Sequence, residues 1–128
     1  MQDSIEELEL IGALDKEERL TSLGRKIAPF TTHPRLAKAL VYAIILRCVS
    51  PVVSIIAGLN ASREPWDIST TDGRQKKRDA KREFHATSDH LALANLMSRF
   101  LQQSGSSMVN DFCTETSANP KTLYFLKG

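Results

Sequence analysis

The stretch 33–60, HPRLAKALVYAIILRCVSPVVSIIAGLN, constrains this chain more than any other part of it. It is the most apolar segment, and its pattern is helical. Pro34 suits the first turn of a helix, where a missing N–H costs nothing. Leu36, Ala37, Leu40, Val41, Ile44 and Ile45 then recur at helical spacing and form a wide apolar stripe. The run Cys48-Val49-Ser50-Pro51 breaks the period, with Ser50 read as an N-cap and Pro51 as a first-turn residue. Val52, Val53, Ile55, Ile56 and Leu59 make the second helix apolar nearly all round. The expectation is a buried core hairpin in a helical domain, covered by other parts of the chain or of a larger protein. Each helix is too short to span a bilayer.

Charge is separated along the chain. The net charge of +2 is too small to argue for a nucleic-acid partner by itself. Residues 1–18, however, hold seven acids against the single base Lys16. Residues 74–82, RQKKRDAKR, hold six bases against Asp79. The two cysteines, Cys48 and Cys113, define neither a disulfide framework nor a metal-ligand spacing. Cys48 reads as a small buried hydrophobe, and a reducing compartment is the default. The acidic start lacks the basic-then-apolar order of a secretory signal.

The remaining segments also read as helices. Residues 4–14 carry Ile5, Leu8, Ile11 and Leu14 on one face and Glu6, Glu7 and Glu9 on the other. A charged turn at 15–19 leads to a short extended piece, Leu20-Thr21, and Thr21 can cap a helix over 22–28. Residues 61–73 read as a loop that Trp66 and Ile68 pin to the helical core. Helix-forming composition returns over 74–84. A helix over 88–103 follows, capped by Ser88, with Leu91, Leu93, Leu96, Met97, Phe100 and Leu101 as core positions. A turn or more at 108–113 and a short helix at 120–126, opened by Pro120, complete the chain. The last is brief enough to imply that the chain is truncated there.

Little in these residues points to chemistry. No G-x-x-x-x-G-K-[ST] pattern occurs, so no phosphate-cradling loop is visible. His33, His85 and His90 lie in separate segments without zinc spacing. Ser88, Asp89 and His90 are sequence neighbours, but adjacent residues on a helix do not face one another. They read as a capped helix start with a hydrogen-bonded histidine rather than a catalytic set. The basic run reads first as a solvated helix face, with Asp79 and Glu83 pairing to Lys76 and Arg82 at about 0.3 kcal/mol each. Its sharper readings are contact with a phosphate backbone, without aromatic residues for base stacking, or a nuclear-localisation-like patch.

In order, the segments IGALDKEERLTSLGRKIA, THPRLAKALVYAIILRCVSPVVSIIAGLN, REPW, the basic stretch, SDHLAL and FC…NPKTLYFL resemble the region after the second RecA-like domain of DEAH/RHA-type (DExH-box) RNA helicases, nearest the RNA helicase A-like branch. Gly12-Ala13-Leu14-Asp15 with Leu20-Thr21-x-Leu23-Gly24 is similar to the later half of the winged helix, and 33 onward to the helicase-associated (ratchet, HA2) domain. Two aromatics depart from the pattern. Trp66 follows Pro65 where the family usually has phenylalanine, and Phe100 stands where an aromatic, often tryptophan, follows the SDHL helix.

The resemblance implies a mainly α fold: a partial winged helix over 1–32, then a helical-bundle ratchet domain over 33–128. It implies a piece of an ATP-dependent RNA helicase that forms part of the single-strand RNA channel and couples RecA-domain motion to translocation and unwinding. No catalytic, cofactor-binding or metal residues are assigned, because the ATP and Mg sites belong to RecA-like domains of the parent protein. RNA contacts are assigned to Ser88, Asp89 and His90 at a helix N-terminus, where free N–H groups suit phosphate, and to Lys76, Lys77 and Arg78. Asp89 opposes phosphate and is read as holding the cap or His90. The implied partners are RNA, the RecA-like domains and a protein activator, with no membrane. The implied location is intracellular, in cytoplasm or nucleus, with the mitochondrion open. The alternative is a protein-interaction module that docks a helicase activator. Salt separates the two, because phosphate contacts weaken steeply with salt and an apolar groove does not. Uncovered, the apolar hairpin makes the isolated chain marginal in stability.

Overall fold

The computed structural model describes residues 2–66 and 73–128. They form eight helices: α1 (Gln2–Leu10), α2 (Ser22–Ile27), α3 (Pro34–Ile45), α4 (Val49–Asn60), α5 (Gly73–Phe84), α6 (Asp89–Phe100), α7 (Ser106–Glu115) and α8 (Pro120–Lys127). The mainly α class expected from the sequence is what the chain adopts. Extended pairing among the described residues is limited to one antiparallel bridge, Leu14 to Leu20. The chain divides into two compact units, Met1–Val49 and Ser50–Gly128.

In the first unit, α1 stops at Leu10 rather than continuing to residue 14. Gly12 takes φ +77°, and the turn closes with Ala13 N–H donating to the Leu8 carbonyl (2.8 Å) and Gly12 N–H to the Glu9 carbonyl (2.9 Å). This is a Schellman closure, which satisfies carbonyls that a helix end leaves open. The charged turn that follows is ordered by Asp15, whose Oδ1 accepts from the backbone N–H of Glu17 (3.0 Å) and Arg19 (2.9 Å).

Thr21 caps α2 as expected. Its hydroxyl donates to the Gly12 carbonyl (2.6 Å) and accepts from Gly24 N–H (3.0 Å). Ile11, Ala13, Ile27 and Ala37 form a small core, with Leu8, Leu23 and Val41 against it. Lys38 and Arg35 tie α3 to the first helix. Lys38 Nζ donates to the Ile11 carbonyl (2.7 Å), and Arg35 Nε to Glu7 Oε1 (2.6 Å). Pro34 occupies the first turn of α3 as expected, behind His33, whose Nδ1 accepts from Arg35 N–H.

The buried hairpin expected over 33–60 is not the core. In α3 the buried residues are Ala37 and Ala43, whereas Ile44, Ile45 and Leu46 are 62, 66 and 70 % exposed. In α4 Ser54 and Ile56 are buried, while Val53 and Leu59 are exposed. An apolar stripe at helical spacing records that a face is covered, not that the same chain covers it. The cap between these helices differs too: α4 begins at Val49, so Ser50 lies inside its first turn. Cys48 is half-buried, and the buried thiol is Cys113.

The second unit is built around α6. Ala92, Leu93, Leu96, Met97 and Phe100 are buried along it and share a core with Trp66, Phe84 of α5, Val109, Phe112 and Cys113 of α7, and Leu123 and Leu126 of α8. Leu91 and Leu101, expected in this core, are exposed. They fall off the face shared by residues 93, 96, 97 and 100. Trp66 is 1 % exposed and holds its loop to the core as expected, while Ile68 lies outside the described residues. The Pro65 carbonyl also accepts from Asn119 N–H (2.7 Å), so the loop is fixed to the capping residue of α8.

Candidate nucleic-acid interface

The basic helix α5 has two chemically distinct faces. Lys77 and Lys81 turn toward Glu64 of the loop before Trp66. Glu64 Oε2 lies 2.7 Å from Lys77 Nζ and 3.1 Å from Lys81 Nζ. Lys81 Nζ continues the chain of charges to Asp89 Oδ2 at 2.6 Å, and stands 5.9 Å from the centre of the Trp66 ring. Partial burial acts to raise the Glu64 carboxyl, but the hydrogen bonds from Lys77 and Lys81 outweigh it and hold Glu64 below the ordinary carboxylate range. Burial likewise acts to lower Lys81, and the bonds to Asp89 and Glu64 reverse it, so the ammonium is held above the ordinary lysine value. This network fixes the loop to α5 and to the start of α6.

The other face is open. Arg74, Lys76, Arg78 and Arg82 are exposed and have no ion-pair partner among the described residues. The pairing expected of Asp79 and Glu83 with Lys76 and Arg82 does not form among the described residues, and Asp79 instead accepts from Gln75 Nε2 (2.9 and 3.1 Å). Arg74, Arg78 and Arg82 follow one another at helical i, i+4 spacing, so their guanidinium groups form one row.

The α5–α6 turn is held by His85 and Asn95. His85 Nδ1 accepts from the backbone N–H of Ser88 (3.0 Å) and Thr87 (3.4 Å), and Asn95 Nδ2 donates to the Phe84 carbonyl (2.8 Å). The hydrogen-bonded histidine beside the cap is therefore His85, not His90. Ser88 caps α6 as expected, its Oγ accepting from Leu91 N–H (3.3 Å).

The residues assigned to RNA contact from sequence thus occupy different settings. Ser88 is engaged by the cap, Asp89 by Lys81 and Lys77 by Glu64, whereas Lys76, Arg78 and His90 present exposed side chains. Two grooves meet Asp89. One, of about 240 Å³, has Ile55, Leu59, Trp66 and Leu93 in its walls and His90 beside Asp89. The other, of about 330 Å³, is bordered by Arg78, Arg82, His85 and Thr87 as well as Asp89 and Lys81. Sequence reading missed Glu64, Lys81 and His85 as organisers of this region. The signals were present as a carboxylate before the tryptophan, a second lysine four residues after Lys77, and a histidine three residues before the cap. Among the described residues no group of three or more His, Cys, Asp or Glu is placed to hold a metal ion, and no helix is long and apolar enough to cross a membrane.

Comparison with known proteins gives this arrangement a context. Residues 4–30 match the helicase associated domain (HA2), winged-helix, and residues 33–93 match the helicase associated domain (HA2), ratchet-like. The chain is 30 % identical over 125 residues to the DExH-box ATP-dependent RNA helicase DExH3 of Arabidopsis thaliana, covering 96 % of this chain and 10 % of that protein. It is 33 % identical over 125 residues to the ATP-dependent RNA helicase DHX30 of Homo sapiens, covering 94 % of this chain and 10 % of the relative. It is also 33 % identical over 128 residues to the ATP-dependent DNA/RNA helicase DHX36 of Bos taurus, covering 96 % and 12 %. The chain therefore spans about a tenth of the length of these curated relatives. With two successive helicase-associated models matched in order and together spanning more than half of its length, the chain belongs to the helicase-associated (HA2) family of DExH-box RNA helicases, carrying its winged-helix and ratchet-like segments.

Proposed function

We propose that this chain is an accessory segment of an ATP-dependent RNA helicase that forms part of the single-strand RNA channel and couples movement of the RecA-like domains to RNA translocation. The observation that carries the reading is the ordered match to both helicase-associated domains across residues 4–93. The cations of α5 that lack an ion-pair partner among the described residues support an RNA-facing surface, since sequence-independent affinity for a nucleic-acid backbone comes from exposed Lys and Arg. In this reading ATP and Mg act at the RecA-like domains of the parent protein, and the protein works inside the cell. The encoding transcript tests it. An open reading frame that continues upstream into a P-loop and a DExH box is the expected result. A stop codon immediately upstream of Met1 would remove the coupling role.

A second reading, docking of a protein activator, is favoured by one feature, the exposed Tyr42, Ile44, Ile45 and Leu46 at the end of α3. Binding carried by that surface would persist at high salt, whereas RNA binding would not.

A further inference from the structure

We infer that the groove at the α5–α6 turn is a seat for one or two backbone phosphates of single-stranded RNA, formed by Arg78, Arg82 and His85. The inference rests on the RNA-channel reading and adds which side chains touch the backbone. Three observations carry it.

First, Arg78 and Arg82 stand one turn apart on the open face of α5, line the same groove and lack an ion-pair partner among the described residues. Like charges at i, i+4 destabilise a helix unless an anion lies near them. A phosphate oxygen bridging two guanidinium groups supplies that anion with the fork geometry arginine favours.

Second, the His85 ring is oriented by the chain itself. Because Nδ1 accepts from the Ser88 and Thr87 N–H groups, the neutral ring carries its proton on Nε2 and has a donor left for a ligand. Thr87 lies in the same lining.

Third, the neighbouring charges are already matched. Asp89, the carboxylate in the groove, is bonded to Lys81, and Lys81 also meets Glu64. Asp79 and Glu83 of the same helix pair with neither arginine, so among the described residues Arg78 and Arg82 have no ion-pair partner on that lining. The seat differs from the set assigned from sequence, because Lys77 is engaged by Glu64 and Ser88 by the cap of α6.

The test uses the complete 128-residue chain, a uridine dodecamer and inorganic tripolyphosphate. Wild type is compared with the double variant Arg78→Gln/Arg82→Gln and with Lys77→Gln, each checked for an unchanged thermal midpoint. Affinity for the dodecamer is measured from 0.05 to 0.3 M salt. The double variant is expected to bind about tenfold more weakly at 0.15 M salt, with the slope of log K against log salt reduced by about 1.4, or about 0.7 for each lost phosphate contact. Lys77→Gln is expected to change the affinity much less. Dodecamer binding that the double variant leaves unchanged would overturn the seat while leaving the RNA reading intact. Should the wild type ignore the dodecamer yet show a shift of the His85 ring nitrogens with tripolyphosphate, the seat takes a phosphate that is not RNA, and the RNA source is overturned. Silence from both probes would overturn the seat and the RNA reading together.

Discussion

A Cβ placed on Gly24 would stand 2.1 Å from the carbonyl oxygen of Ala13 and 3.0 Å from its carbonyl carbon. The glycine is therefore set by contact between two backbones, not by a special φ. The same Ala13 carbonyl accepts from Thr21 N–H (3.0 Å), so it has no freedom to retreat. Gly24→Ala is expected to destabilise the chain by about 3 kcal/mol, the upper part of the range for overpacking, because backbone must move. Urea unfolding checks this. A loss below about 0.5 kcal/mol would mean that α2 sits further from the 12–14 turn than the structure has it.

The Thr21 hydroxyl, which donates to the Gly12 and Ala13 carbonyls and accepts from Gly24 N–H, gives a paired prediction. Thr21→Ser keeps these bonds and is expected to fall within about 0.5 kcal/mol of wild type. Thr21→Val removes the cap of α2 and the bond to Gly12, and is expected to lose about 1–2 kcal/mol. The same unfolding measurement decides it, with equal losses in both variants as the adverse result.

Helices α3 and α7 end as α1 does, but without glycine. Arg47 takes φ +56° and Ser117 φ +54°, with Cys48 N–H reaching the Ala43 carbonyl (2.9 Å) and Ala118 N–H the Cys113 carbonyl (3.0 Å). A left-handed conformation costs an L-residue about 1–2 kcal/mol, and glycine gives back about 0.5–1 kcal/mol through the entropy of the unfolded chain. Arg47→Gly and Ser117→Gly are each expected to stabilise by about 0.5–1 kcal/mol. A fall in thermal midpoint for both would contradict the left-handed closures.

These helix ends separate what the sequence discloses from what it withholds. Thr21, Ser88 and Pro120 were readable because a cap depends on a local side chain, and the structure uses each at its expected helix start. The closure at Arg47 was not readable, because nothing about arginine announces a positive φ. The central hairpin misled for a different reason. Hydrophobic periodicity in α3 identifies a face that something covers, and Ile44 and Ile45 show that this chain leaves much of that face open. In the interface region the basic run was legible as charge. Its division into paired Lys77 and Lys81 and open Arg78 and Arg82 was not. That division depends on Glu64, which lies two residues before the buried Trp66 and pairs with both lysines.

The Glu64 bridge gives a pH dependence with a definite sign. The folded carboxyl is held below its unfolded value, so its contribution is present above an unfolded pKa of about 4.3 and is lost as pH falls through the lower folded value. Lys81 is held above its unfolded value, so its share is present below about pH 10.4 and is lost as pH rises through the higher folded value. Glu64 is more than half exposed, which limits the bridge to about 0.5–1 kcal/mol. The stability gap between wild type and Glu64→Gln should therefore be level between about pH 5.5 and 9.5, and close below about pH 4. A gap that widens on acidification would refute the assigned direction.

Trp66 sets two opposing terms against each other. Its indole Nε1 is buried with no hydrogen-bond partner among the described residues, while its ring packs 5.9 Å from that of Phe84. An unsatisfied buried donor costs about 1–3 kcal/mol. Trp66→Phe removes that cost, but it leaves a void penalised at about 24 cal/mol per Å³ and forfeits part of the buried apolar area. The terms nearly cancel, so the variant is expected within about 1 kcal/mol of wild type, whereas Trp66→Ala, which loses the ring altogether, is expected to cost about 3–5 kcal/mol. Phenylalanine is also the residue that the family pattern usually carries after this proline, so the backbone there is compatible with the smaller ring. Chemical denaturation of the three proteins under one set of conditions measures both differences. If Trp66→Phe proves nearly as damaging as Trp66→Ala, the indole N–H is bonded in the folded chain and the balance drawn here fails.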